Sequence, residues 1–305
     1  MNTAQLDALN AQFALRDHLS FVPFRGGLVA AEIRNTHATA TLALHGGHVV
    51  AFQPHGQAPV LWLSAKSRFE AGAPIRGGIP ICWPWFGNHP RDPQAPFHGF
   101  ARLHPWEVVR TAIAEDDATE IELRLPEPPG AQDQWPHAWT LHLHVRVGAD
   151  LRVALEMRNT GAKAMTCTTA LHSYFTVRDV SVVRVLGLEG CRYIDTVPTP
   201  HTAHVQQGPI TISAETDRPY LDTEAECIIE DPGLRRRIRI AKAGSRATVV
   251  WNPWIAKSKR MPDFGDEEYP GMLCVETVNT ATDARTLSPG EAHRIAMQIA
   301  VEPLA

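Results

Sequence analysis

Residues 139–147, WTLHLHVRV, alternate apolar and polar side chains without a break. Leu141, Leu143, Val145 and Val147 point one way; His142, His144 and Arg146 point the other. A period of two is the signature of a strand with one buried face. Residues 151–158, LRVALEMR, repeat the alternation and end at an Asn159-Thr160-Gly161 turn. Two such runs so close together predict neighbouring antiparallel strands, and the rest of the chain has the same texture.

Strands are predicted at 29–34, 38–44 and 49–53, the last two forming a hairpin around Gly46-Gly47. Residues 106–113 and 119–125 flank an acidic turn. Residues 226–230 and 234–240 flank Asp231-Pro232-Gly233, a strong turn signal. Residues 247–251, 272–278 and 293–301 complete the set. The one helical pattern is 4–15, where Leu6, Leu9 and Phe13 fall on one face. With 21 Gly and 24 Pro in 305 residues, many short elements are favoured over a few long helices. The expectation is an all-β sandwich of antiparallel strands with a short N-terminal helix. Residues 1–26 form a helical and extended lead-in, and 27–305 a single β-sandwich domain. The Pro-rich piece 126–136 reads as an exposed loop within that domain.

Composition excludes several functions. Hydrophobic residues are 44% and charged residues 20% of the chain, which fits neither a disordered chain nor a membrane protein. A net charge of −4 offers no global basic field for nucleic acid or an anionic membrane. No Gly-rich loop follows a strand and opens a helix, so a nucleotide-binding loop is not expected. Five scattered cysteines without a C-x-x-C pattern argue against a disulfide framework or a Cys-based zinc site. They fit a reducing compartment, and a cytoplasmic location is expected.

Residues 74–106 differ from everything else: PIRGGIPICWPWFGNHPRDPQAPFHGFARLHPW. A long stretch without periodicity inside a compact domain is usually functional or disordered. Trp83, Trp85, Phe86, Phe97, Phe100 and Trp106 supply enough apolar surface to favour order. Aromatic walls mixed with Arg76, Arg102, His89, His98 and His104 suit a sugar. Rings stack on its C–H faces while polar groups fix hydroxyls or a phosphate.

Several motifs in this region and beyond form an ordered set. They are Arg76-Gly77-Gly78-Ile79-Pro80, Pro84-Trp85-Phe86-Gly87, His98-Gly99-Phe100-Ala101-Arg102 and Trp106-Glu107-Val108. Leu171-His172-Ser173-Tyr174-Phe175 follows, then Leu188-Glu189-Gly190 with Tyr193-Ile194-Asp195. Val250-Trp251-Asn252-Pro253-Trp254 and Cys274-Val275-Glu276 complete it. Over about residues 27–300 the chain resembles the hexose-6-phosphate mutarotase, or glucose-6-phosphate 1-epimerase, family of the aldose 1-epimerase superfamily. The resemblance implies a galactose-mutarotase-like β-supersandwich with a sugar cleft on one sheet. It also implies interconversion of the α and β anomers of a phosphorylated aldohexose such as D-glucose 6-phosphate, with no cofactor and no metal. By the same motifs Glu276 would be the general base and His172 the general acid. His98 and Asp195 would hold the sugar, and Arg76 and Arg102 would bind its phosphate or nearby hydroxyls. The expected partner is a small sugar phosphate, not nucleic acid or a membrane, and a monomer is expected.

The residues themselves leave alternatives open. Glu276 stands in an otherwise apolar strand, where an ionised carboxylate must be paired or face a wet cleft. It reads locally as a base or as a buried partner of an arginine. His172 has a side chain suited to proton exchange near neutrality, but a histidine among apolar residues also reads as a hydrogen-bonded core residue. Arg76 and Arg102 read as an anion-binding fork or as structural ion pairs. Asp195 reads as a ligand or as the cap of a turn before Thr196. The 15 histidines lack the carboxylate set of a zinc enzyme. Arg235, Arg236, Arg237 and Arg239 read as a solvated strand face. Lys257, Lys259 and Arg260 read as exposed loop charges that could extend a phosphate site. The rival readings are a mutarotase for unphosphorylated sugars and a non-catalytic carbohydrate-binding sandwich.

Overall fold

A computed structural model describes residues 3–304. Two eight-stranded antiparallel sheets pack face to face. The first runs, edge to edge, Arg184–Leu186, Cys227–Asp231, Arg236–Ala243, Ala292–Pro303, Leu151–Asn159, Trp139–Val147, Thr119–Arg124 and Glu107–Ile113. The second runs Thr202–Val205, Arg192–Asp195, Thr216–Tyr220, Ala247–Asn252, Met272–Asn279, Thr169–Leu171 and Ile81–Cys82. Tyr174–Thr176 also pairs with Met272–Asn279. Leu19–Pro23, Val29–Arg34, Ala38–Ala43 and His48–Pro54 form a four-stranded meander, and Met165–Cys167 with Arg285–Leu287 a two-stranded ribbon. The helix Thr3–Phe13 rests Leu6, Leu9 and Phe13 on the core. Leu19–Pro23 carries the second half of the lead-in into the first meander pairing. This is the all-β sandwich that the strand pattern predicts.

The alternation of 139–147 is realised residue by residue. Leu141, Leu143, Val145 and Val147 are buried, while the polar positions between them are half-buried. They meet Leu273 and Val275 of the second sheet in one core. Each fully buried Leu or Val contributes about 1.5–3 kcal/mol over its exposed state. The strand Met272–Asn279 is buried on both faces. Its other set, Met272, Cys274 and Val278, joins Trp62, Tyr174, Val249, Trp251 and Phe264 in a separate cluster. Glu276 shares the parity of that second face.

The irregular segment 74–106 is anchored by Trp83, which is fully buried. Its ring meets Phe100, Trp135 and Trp139 edge-on with centroids 4.7–5.7 Å apart. Such pairs add roughly 0.5–1.5 kcal/mol each beyond area burial. Trp135 corrects one expectation: 126–136 is not simply an exposed loop, because it holds the helix Ala131–Gln134 and buries Ala131 and Trp135. Arg236 corrects another. It is buried and donates to the carbonyls of Ala58, Pro59 and Thr176, whereas Arg237 and Arg239 do lie toward solvent, paired with Glu230 and Glu226. No helix among the described residues is long and apolar enough to cross a membrane.

Candidate active site

Glu276 and His172 are brought together by strand pairing. Leu171 lies opposite Thr277 in the register of the second sheet, so the residues beside them are neighbours. The Ser173 hydroxyl donates to the Val275 carbonyl at 2.6 Å, and the His172 N–H donates to the Pro80 carbonyl at 3.1 Å. These bonds hold the turn that carries the imidazole. His172 Nδ1 then lies 3.4 Å from Glu276 Oε1. The contact is close but not aligned as a hydrogen bond, and both His172 Nδ1 and Glu276 Oε2 are buried without a partner. The imidazole stacks on Tyr174 at 4.8 Å and meets Trp251 edge-on at 6.2 Å.

Burial governs the charge of this pair. It raises the Glu276 carboxyl well above the usual range, and the nearby Asp217 charge adds to the shift. Burial also holds His172 well below the usual imidazole range, reinforced by Arg102 and Arg76. Both shifts disfavour the charged form of the group concerned.

His98 adopts a left-handed backbone, φ 65°, which turns its ring toward the same place. The Gly87 N–H donates to His98 Nδ1 at 2.9 Å, leaving Nε2–H as the donor of this neutral ring. The ring stacks on Phe86 at 4.8 Å and lies edge-on to His172 at 5.5 Å. Burial, then Arg102 and His172, keep it uncharged.

The two arginines differ. Arg76 donates Nε and Nη2 to Asp263 at 3.1–3.3 Å and Nη1 to the Tyr174 hydroxyl at 3.0 Å. Burial opposes its charge, but Tyr174 and Asp263 outweigh that and raise its pKa. Arg102 is buried, donates Nη2 to the Phe97 carbonyl at 2.8 Å and leaves Nε without a partner. No ion pair neutralises it among the described residues, and burial lowers its pKa.

Asp195 sits further along the second sheet. Its Oδ1 accepts the Val197 N–H at 3.1 Å, the turn cap, while Oδ2 lies 3.4 Å from Arg218 Nε. Lys257 belongs to a short helix, Trp254–Ser258, and is not an exposed loop charge: it pairs with Glu215 at 3.1 Å and lies 3.8 Å from Asp217. Lys259 is half-exposed and faces Glu267. Thus His98, His172 and Glu276 are joined by direct contacts, Arg76 reaches His172 through Tyr174, and Arg102 lies close enough to act on both imidazoles. Asp195, Lys257 and Lys259 have other partners. Sequence reasoning assigned no role to Tyr174, although it stands two residues from His172 on a strand, nor to Asp263, for which no local signal exists.

A cavity of about 460 Å³ on the outer face of the first sheet lies away from these groups and is lined by Arg110, His144, Arg146, Arg152 and Arg294. Each of those arginines is already paired with a carboxylate. Glu122 also lines the cavity, 3.9 Å from His144, but that carboxylate is engaged by His142 at 2.9 Å and both groups are partly exposed, unlike the buried His172–Glu276 pair.

Comparison with known proteins gives a consistent picture. Residues 30–300 match the family model described as Aldose 1-epimerase. A Salmonella typhimurium protein named "Putative glucose-6-phosphate 1-epimerase" is 38% identical over 263 residues, 86% of each chain. A protein of the same name from Escherichia coli K12 is 36% identical over 255 residues, 83% of this chain and 84% of that one. The crystal structure of a "putative mutarotase (YeaD)" from Salmonella typhimurium superposes with a TM-score of 0.88 at 34% identity, covering 95% of this chain and 96% of that one. A galactose mutarotase-like protein from Clostridium acetobutylicum shares the fold, with a TM-score of 0.69 at 15% identity over 93% of this chain and 98% of that one.

Proposed function

The chain belongs to the aldose 1-epimerase family, and on that premise we propose that it interconverts the α and β anomers of an aldohexose 6-phosphate, D-glucose 6-phosphate first among them. The observation that carries this reading is the buried His172–Glu276 pair, 3.4 Å apart beneath an aromatic wall.

Anomer exchange opens a hemiacetal. A base takes the proton of the C1 hydroxyl while an acid protonates the ring oxygen; the C1–C2 bond rotates, and the steps reverse on the other face. The reaction needs one dissociable proton shared by two groups. With that proton on His172 Nδ1, the pair is a carboxylate beside an imidazolium. Glu276 then accepts the C1 hydroxyl proton, and His172 Nε2–H donates to the ring oxygen. Positioned acid and base groups typically contribute about 10²–10⁴-fold. His98 Nε2–H donates to a sugar hydroxyl, and Asp195 accepts from another at the far side of the cleft. No cofactor enters this chemistry.

Arg102 is the stronger phosphate candidate, because a buried guanidinium without a carboxylate partner is matched by a bound anion. Arg76 shares the phosphate only if Asp263 yields. Full commitment of Arg76 to Asp263 favours the second reading, a mutarotase for unphosphorylated aldoses. The test is kcat/KM for glucose 6-phosphate against glucose in wild type and Arg102→Ala. A phosphate preference that collapses in the variant supports the first reading; no preference in wild type supports the second. The reading is completed by a monomer in the cytoplasm, consistent with five free cysteines.

A further inference from the structure

We propose that His172, Cys274 and Glu276 form a binding site for a divalent transition-metal ion such as Zn²⁺, and that the bound ion switches anomer exchange off.

Cys274 and Glu276 are two residues apart on one strand and share a face. His172 comes from the neighbouring chain segment. One ligand atom from each residue lies within 4.8 Å of the other two. The His172 Nδ1 to Glu276 Oε1 separation is 3.4 Å. A tetrahedral zinc with N and O bonds of about 2.0–2.1 Å has an edge of roughly 3.3 Å, so this edge is already formed. Small side-chain movements bring the sulfur in.

The second observation is the state of the donor atoms. His172 Nδ1 and Glu276 Oε2 are buried without hydrogen-bond partners, in residues only 6% and 2% exposed. Two unsatisfied donors beside a thiol are costly in the empty site, and an ion would satisfy them together. Three protein ligands with a fourth position open is a zinc arrangement, and the sulfur and imidazole select late transition metals over Mg²⁺ or Ca²⁺. On binding, the Cys274 thiol releases its proton to water and ligates as thiolate, and the proton shared by His172 and Glu276 leaves with it, so that a carboxylate oxygen and the free Nδ1 lone pair ligate.

Metal binding stands on this geometry alone; the switch rests on the acid–base assignment above. The test titrates Co²⁺ into wild type, Cys191→Ala and Cys274→Ala and follows the thiolate-to-cobalt charge-transfer band. The expected result is one Co²⁺ per chain, with a band kept in Cys191→Ala and absent from Cys274→Ala. Zn²⁺ should displace Co²⁺ and suppress anomer exchange, a chelator should restore it, and Cys274→Ala should need at least tenfold more Zn²⁺ for equal inhibition. Glu276→Gln, which preserves volume, should weaken Co²⁺ binding at least tenfold and serves if Cys274→Ala does not fold. A wild type without the band, or a band that survives Cys274→Ala, overturns the site. Stoichiometric binding through Cys274 without loss of anomer exchange overturns the switch and the catalytic role of the pair, while leaving the metal site intact.

Discussion

Asp263 grips the Arg76 guanidinium from two sides, Nε and Nη2, at 3.1–3.3 Å, although 187 residues separate them in sequence. If Arg76 takes part in the proposed phosphate site, the carboxylate occupies the fork the phosphate needs, and the two anions compete for it. Asp263→Asn keeps the shape and removes the charge. It should lower KM for glucose 6-phosphate several-fold, to about tenfold, with little change for glucose; tenfold corresponds to about 1.4 kcal/mol. Steady-state kinetics with both sugars checks this, and an unchanged ratio removes Arg76 from the phosphate site.

The pH dependence of catalysis follows from the shared proton. On the proposed mechanism the pair acts with one proton and not with none or two. Burial lowers the affinity of His172 for a proton, so the acid limb of kcat/KM should lie below the ordinary imidazole value of about 6.5. The same burial raises Glu276, so the alkaline limb should lie well above the carboxylate range. The profile, corrected for uncatalysed exchange, should be flat through neutrality. An acid limb at or above 6.5 contradicts the coupled pair.

Stability should fall in acid for a related reason. His48 is fully buried, and its Nε2–H donates to the Gly77 carbonyl at 2.7 Å. Burial, partly offset by that hydrogen bond, lowers its pKa from 6.5 to about 3. The folded state resists a proton that the unfolded state accepts. Its stabilising contribution is therefore complete above pH 6.5 and is lost progressively as pH falls toward 3. His48→Gln retains a donor but does not titrate. Urea unfolding at pH 7 and pH 5 should show a smaller loss in the variant than in wild type, by on the order of 1 kcal/mol.

Gly99 sits next to His98 with φ 74°, and a Cβ there would lie 2.1 Å from the Trp83 carbonyl oxygen. Backbone on backbone leaves no flexible group to move aside. Gly99→Ala should cost about 2–4 kcal/mol and displace His98, lowering both thermal stability and activity. Wild-type Tm and activity in Gly99→Ala would exclude this packing.

The sequence revealed the fold where strands were long enough to show a period. Residues 139–147 span several alternations, and 272–278 form a long apolar run interrupted at Glu276 and Thr277; both are strands where the sequence places them. Ile81–Cys82 has two residues and no measurable period. Thr216–Tyr220 carries Pro219, which argues locally against a strand, yet it pairs with Ala247–Asn252. At the site, His172 and Glu276 stood out through their motifs and their polarity in apolar surroundings. Their 3.4 Å approach depends on register between distant strands, which no local pattern encodes. Asp263 was invisible for the same reason. Arg236 misled because a run of arginines looks solvated, whereas three backbone carbonyls draw this one inward.

The most direct test of the account is anomer exchange in Glu276→Gln, measured by saturation-transfer NMR between the α and β resonances of glucose 6-phosphate. The amide preserves the size of the side chain but cannot take the C1 hydroxyl proton. The account predicts that catalysed exchange drops by about 10²–10⁴-fold, with an unchanged circular dichroism spectrum and sugar-phosphate affinity within a few-fold of wild type. Exchange near the wild-type rate would contradict it.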